Sequence, residues 1–138
     1  MNKHQYICKI TEVVASKSTC PRDKVGAVFV NEDFEILATG YNGAPRGIQH
    51  CQHDKEAPCL EAIHAEQNAI IQAAKRGTAL KGSILYCTRT PCKACAMMLA
   101  NLGIKEIRFK EVYREIKHIA QYLLNTRRWD NNLVITHG

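Results

Sequence analysis

The sequence predicts a layered α/β domain, and three observations carry that reading. From residue 60 onward, helical periodicity alternates with short β-rich runs, the pattern of helices crossing between parallel strands. Before it, two apolar runs flank the polar turn Asn31-Glu32-Asp33, as a hairpin would. The length, 138 residues, fits one domain spanning 1–138 with a core of its own.

Taken in order, residues 2–18 read as a helix, with Tyr6, Ile10, Val13, Val14 and Lys17 at helical spacing and Ile7 widening the apolar side. Cys8 within it reads as a buried structural thiol. Pro21 ends the helix, since the residue before proline avoids helical backbone angles. Residues 25–30 and 35–42 form the two strands of the hairpin. Gly43 to Pro58 carries glycine, proline, histidine and cysteine without periodicity, so it reads as a long loop that needs a function or a local tie. His64 to Arg76 is helical, with Ala65, Ala69, Ile70 and Ala73 on its apolar side and Gly77 as its stop. Ser83–Thr88 reads as a strand, Cys92–Asn101 as a helix ending at Gly103, and Ile104–Phe109 as a strand. Val112–Asn125 reads as a last long helix and Leu133-Val134-Ile135 as a short final strand. There is no internal repeat and no low-complexity segment.

Composition narrows the function. Apolar residues make up 46% and charged residues 23%, the proportions of an ordinary globular protein. No run has the length of a membrane span, and MNKHQYICKI lacks a signal-peptide apolar core. Seven cysteines in that setting predict a reducing cytoplasm, with metal-bound or buried thiols in place of disulfides. The net charge of +6 favours anionic partners, either phosphorylated small molecules or nucleic acid. Pairs such as Lys75-Arg76 and Arg127-Arg128 read as solvated surface.

The chemistry is concentrated in two short motifs. His64-Ala65-Glu66 and Pro91-Cys92-Lys93-Ala94-Cys95 stand about 26 residues apart. One imidazole and two thiolates are three ligands for tetrahedral zinc and leave the fourth position to water. Cys92 and Cys95 share a helix face at i, i+3, and a helix N-terminus favours thiolate over thiol. Glu66 is close enough to handle the water's protons. The pattern H-x-E…P-C-x-x-C is the signature of zinc nucleobase deaminases. A structural zinc using Glu66 as its fourth ligand is the bland alternative.

With these residues, and with Cys20-Pro-Arg, Val25-Gly-Ala-Val, Ala38-Thr-Gly-Tyr-Asn-Gly-Ala-Pro, Tyr86-Cys-Thr-Arg-Thr-Pro and Gly103-Ile-Lys-Glu-Ile, the chain resembles the zinc-dependent cytidine deaminase superfamily over residues 5–113. The Gly-Tyr-Asn-Gly stretch and the extra cysteines resemble its deoxycytidylate branch. The resemblance implies a three-layer α/β/α sandwich around a five-stranded mixed sheet. It implies a catalytic zinc on His64, Cys92 and Cys95 with Glu66 as proton shuttle, and dCMP, with dCTP as a second possibility, as substrate. Asn42, Ala65, Tyr113 and Arg89 become candidate substrate residues. Asn42 is equally at home in a turn, Tyr113 in a core, and Arg89 as a surface charge. A dCTP or dTTP effector near Gly43 and Arg46, a homo-oligomer (a hexamer among relatives) and a supply of dUMP for thymidylate synthesis are likewise implied.

Cys20, Cys51 and Cys59 match ligands of a second, structural zinc in relatives, with His53 as fourth ligand and His50 as its competitor. Physically, a closed zinc site would tie the long loop and supply folding energy. Three unrelated buried thiols are the alternative. Two rival functions stand beside the nucleotide enzyme. One is a deaminase of cytosine or adenine in tRNA or single-stranded DNA, weakened by the scatter of five Tyr, three Phe and one Trp. The other is a non-catalytic zinc module that binds nucleotides, which would have no need of Glu66.

Overall fold

The computed structural model describes residues 1–21, 23–48, 62–112, 122 and 125–130, together with the backbone of 133–136. In chain order the elements are α1 (Lys3–Ser16), β1 (Gly26–Val30), β2 (Ile36–Tyr41), α2 (Ala65–Arg76), β3 (Ile84–Arg89), α3 (Lys93–Leu102), β4 (Glu106–Glu111), β5 (Asn125–Arg128) and β6 (Leu133–Thr136). One mixed sheet runs β2-β1-β3-β4-β5-β6. β1 is antiparallel to β2 and β3, whereas β3, β4 and β5 are parallel to one another and β6 turns back along β5.

All five expected strands are present, and β5 joins them as a sixth. Asn-Thr-Arg-Arg carries no apolar alternation, so only Thr126, 1% exposed, turns into the core. The two arginines are not free surface charges. Arg127 Nε lies 2.8 Å from the Glu106 carboxylate, and the Arg128 guanidinium stands 5.8 Å from the Phe109 ring centre. The expected last helix is shorter than Val112–Asn125: Val112 lies outside a helix and Asn125 opens β5, while Tyr122 is helical. Residues 113–121, 123 and 124 of that helix lie outside the described residues.

The sheet is covered on both faces, which makes the architecture a three-layer α/β/α sandwich. Alternation along β1 sends Ala27 and Phe29 to one core and Val28 and Val30 to the other, so the strand is buried on both sides. α2 and α3 close the first core through Ala65, Ala69, Ala73, Ala96 and Leu99. α1 closes the second through Ile7, with Ile10 and Val14 at its margin.

α1 presents a different side from the one its apolar residues suggest. Tyr6 and Val13 are 52% and 69% exposed, and Ile7, Thr11 and Ala15 point inward. The reason is Gly26, where an added Cβ would lie 2.6 Å from Thr11 O and Ala15 N. The helix backbone rests on the strand there, so small inward side chains are required. Gly40 does the same for α2 on the opposite face, where a Cβ would collide with Ala65 O and Ala69 N. Cys8, expected to be buried, is half-buried at the margin of the second core, and burial pushes its thiol up to about 11.

A polar cluster fastens α1 to the sheet. His4 Nε2 donates to Trp129 O at 2.6 Å, which leaves Nδ1 to accept from Tyr86 OH at 2.7 Å and from Arg108 Nη1 at 3.1 Å. Arg108 Nη1 also donates to Tyr86 OH at 2.9 Å, and its Nε reaches Glu106 at 3.3 Å.

Candidate metal centre and active site

Two helices start at the same rim of the sheet, beyond the ends of β2 and β3. α2 is held there by its first turns. Gln67 Oε1 accepts from His64 N at 2.9 Å, and Asn68 Nδ2 donates to Tyr41 O at 2.8 Å. The root of the long loop is closed by an antiparallel bridge, with Gly43 N to Ile63 O at 3.1 Å and Ile63 N to Gly43 O at 2.8 Å. This bridge delivers His64 as the N-cap of α2, with φ −68° and ψ 154°. Thr90 N donates to Glu111 O at 3.0 Å and fixes the end of β3. Pro91 then leads into Cys92, the N-cap of α3, with φ −70° and ψ 171°. Cys95 lies one turn further in, 1% exposed.

His64 Nδ1 is 3.3 Å from Cys95 Sγ and 3.5 Å from Cys92 Sγ. Among the described residues these are the one group of His, Cys, Asp and Glu donors able to share a metal, all three atoms lying within 4.8 Å of one another. The spacing fits zinc. With Zn–N about 2.05 Å and Zn–S about 2.3 Å, a tetrahedral centre separates N from S by about 3.6 Å. Glu66 follows His64 into the first turn of α2, 4% exposed and beside the Cys95 thiol. A carboxyl therefore faces the place where three ligands leave a fourth open.

The three donors shift one another's proton affinities. Cys92 is drawn down to about 3, first by its hydrogen bond from Cys95 and then by His64. Cys95 is pushed up, by that same bond and by burial. The His64 imidazole is raised by its bond to Cys92. A metal cation bound by the three would compete with their protons. Burial raises the Glu66 carboxyl, the direction that suits a group passing protons near neutrality. Cys87, behind the site on β3, is raised by burial and by Glu66, and is a packed apolar thiol as expected.

The other candidates fall in several places. Ala65 is buried against Gly40. Asn42 has both ends of its amide engaged: Oδ1 accepts from Val25 N at 2.9 Å and Nδ2 donates to Asp23 O at 2.7 Å. Arg89 is paired with the Asp23 carboxylate. Gly43 is buried in the bridge to Ile63, and Arg46 is exposed. Cys20 is 2% exposed. Cys51, His53, His50, Cys59 and Tyr113 lie outside the described residues. The sequence reading missed Gln67, Asn68 and Asp23. Gln67 was findable, because a glutamine three residues after an N-cap reaches back to it, whereas nothing local marks Asp23 as the partner of Arg89.

Residues 1–111 match the family described as the cytidine and deoxycytidylate deaminase zinc-binding region. ComE operon protein 2 of Bacillus subtilis is 37% identical over 115 residues, covering 80% of this chain and 60% of that protein. The deoxycytidylate deaminase of Mycobacterium phage D29 is 36% identical, covering 75% of this chain and 90% of that protein. The crystal structure of the dCMP deaminase of cyanophage S-TIM5, in complex with dCMP and dUMP, superposes with a TM-score of 0.83 at 33% identity. It covers 90% of this chain and 94% of the phage protein. The chain spans about half the length of several cellular relatives it matches. With the three donors and the buried carboxyl at its centre, this chain belongs to the cytidine and deoxycytidylate deaminase zinc-binding family.

Proposed function

We propose that the chain hydrolyses the exocyclic amine of a free deoxycytidine nucleotide, converting dCMP and water to dUMP and ammonia. The observation that carries the reading is Glu66, a carboxyl 4% exposed beside a three-donor metal group. A closed structural zinc would draw Glu66 in as its fourth ligand, yet the donors that lie within 4.8 Å of one another are His64, Cys92 and Cys95 without it. A non-catalytic nucleotide-binding module has no use for a buried acid at that place. Zinc, when bound by His64, Cys92 and Cys95, activates a water as nucleophile. Glu66 takes a proton from the water attacking C4, passes one to N3, and carries one to the departing ammonia. Ala65 and Tyr113 contribute to holding the nucleotide, and Asn42 does so by positioning residues 23–25, since its amide is taken up by Val25 N and Asp23 O. Arg89, already engaged by Asp23, is left out of that set.

The nucleotide is favoured over tRNA or single-stranded DNA by two facts. The 33%-identical phage enzyme was crystallised with dCMP and dUMP, and Arg127 and Arg128 are committed to Glu106 and Phe109. By family resemblance we further infer a second zinc on Cys20, Cys51, His53 and Cys59, and dCTP or dTTP as effectors near Gly43 and Arg46. A homo-hexamer, a cytoplasmic setting, activity on dCTP and a supply of dUMP to thymidylate synthesis belong to the same inference. No helix of the described residues is long and apolar enough to cross a membrane. The test is a panel of deoxycytidine, dCMP, dCTP and a cytosine-containing oligonucleotide, followed by loss of cytosine absorbance. Fastest turnover of dCMP is expected; conversion of the oligonucleotide alone would replace this reading with the polynucleotide one.

A further inference from the structure

The chain enters β1 between the two strands whose ends carry the site. β1 is antiparallel to both neighbours, with Gly26 opposite Tyr41 on β2 and Ala27 opposite Cys87 on β3. The start of β1 and the ends of β2 and β3 therefore share one rim of the sheet. Asn42 follows β2 on this rim, Arg89 ends β3, and residues 23–25 pass between them. Asn42 grips the passage from one side, through Asp23 O and Val25 N. Ser18 adds a third hydrogen bond, its Oγ donating to Asn42 O at 2.7 Å. From the other side the Arg89 guanidinium closes on the Asp23 carboxylate, with 31% and 26% of the two side chains exposed. Arg89 also lies in register beside Glu111 of β4. Three residues further along the chain stands Cys92.

We propose that Asp23 and Arg89 are positioning residues of the active site. Their ion pair latches the segment leading into β1 to the strand end that delivers Cys92, and Arg89 gives its charge to Asp23, not to the substrate's phosphate. The proposal rests on the deaminase reading and departs from the expectation that Arg89 touches substrate. The surroundings support it. Arg89 lines a cleft of ≈ 300 Å³ together with Glu12, Asp23 and Glu111 and with Lys24 and Lys110. Acids and bases balance there, Lys110 pairing with Glu12 at 3.4 Å as Arg89 pairs with Asp23, so the guanidinium's charge is met inside the protein. A latch at this rim matters to rate because small displacements of a catalytic frame are costly.

The experiment is a double-mutant cycle on zinc-loaded protein, with Asp23→Asn, Arg89→Gln, the double variant and the exchanged pair Asp23→Arg/Arg89→Asp. Turnover and KM are measured for dCMP and deoxycytidine, with zinc content and thermal midpoint alongside. Each single variant should lower kcat on both substrates by a similar factor, about 3- to 30-fold, leaving the preference for dCMP within about twofold. The double variant should be no worse than either single, the exchanged pair should recover part of the loss, and zinc should stay bound. A tenfold fall in dCMP preference in Arg89→Gln, with Asp23→Asn unaffected, would make Arg89 a phosphate receptor and overturn the latch. Additive losses in the double variant would overturn it too. If Arg89→Gln does not fold, Arg89→Lys, which keeps the charge without the fork, is judged by the same preference ratio. If the wild-type protein converts neither substrate, the deaminase reading has failed. The latch is then decided by the thermal midpoints: non-additive shifts support it and additive shifts overturn it.

Discussion

His64 and Cys92 occupy the same position on two different helices. Each is an N-cap, and Nδ1 of one lies 3.5 Å from Sγ of the other. Two helix N-termini therefore meet at the metal group, with Cys95 one turn inside the second. Both helices turn their partial positive charge toward the three donors, where it favours thiolate over thiol. In the proposed reaction Glu66, in the first turn of α2, does the proton work.

Glu66→Gln removes the proton carrier and leaves all three donors. Turnover of dCMP should fall about 10²- to 10⁴-fold, the usual worth of general acid–base catalysis. Zinc content should not change. Turnover within a few-fold of wild type would remove Glu66 from the mechanism.

Metal analysis of the purified chain should find two zinc ions. Cys92→Ser should lose one of them together with activity. Cys51→Ala should lose the other, chiefly at the expense of thermal stability. A wild-type content of one would eliminate the second site.

Gly26 and Gly40 let helices rest on the sheet from opposite faces, and a Cβ at either meets backbone that cannot move alone. Gly40→Ala and Gly26→Ala should each destabilise by about 1–3 kcal/mol, the usual cost of overpacking. They should differ in activity. Gly40→Ala pushes on Ala65 and Ala69, beside His64 and Glu66, whereas Gly26→Ala pushes on α1. Chemical denaturation and kcat on the same preparations decide this, and equal kcat in the two variants would contradict it.

Tyr86 gives a pH signature remote from the metal. Burial raises its phenol from 10.0 to about 12. The unfolded chain gives up this proton first, so stability is full below about 10 and is lost as pH rises toward 12. A shift of that size corresponds to about 3 kcal/mol. Cys8, raised from 9.0 to about 11 by burial, adds a loss that begins earlier, from about 9. Tyr86→Phe should be less stable at neutral pH, by about 1–3 kcal/mol, because Arg108 and His4 lose a partner. It should also flatten the alkaline limb of the stability–pH curve. An unchanged limb would show that the phenol does not control it.

The metal group was legible in the sequence because its rules are local. An N-cap histidine, a carboxyl two residues on and cysteines one turn apart need no knowledge of the rest of the fold. The inward side of α1 was legible only in part: Ile7, Ile10 and Val14 pack on the sheet as their spacing predicts, but Tyr6 and Val13 do not. Tyr6 and Val13 outrank Thr11 and Ala15 in apolarity, but Gly26, far along the chain, decides which side lies against the sheet. β5 was hidden for a similar reason. Asn-Thr-Arg-Arg becomes a strand because Glu106 and Phe109 receive its arginines, and neither partner is sequence-local. The pairing of Asp23 with Arg89 likewise depends on β1 lying between β2 and β3.

The chemistry itself is tested by incubating zinc-loaded protein with dCMP in ¹⁸O-enriched water and analysing the products by mass spectrometry. Hydrolytic deamination predicts one equivalent of ammonia and dUMP carrying a single ¹⁸O at C4. Unchanged dCMP, or dUMP formed without the label, would contradict the assignment.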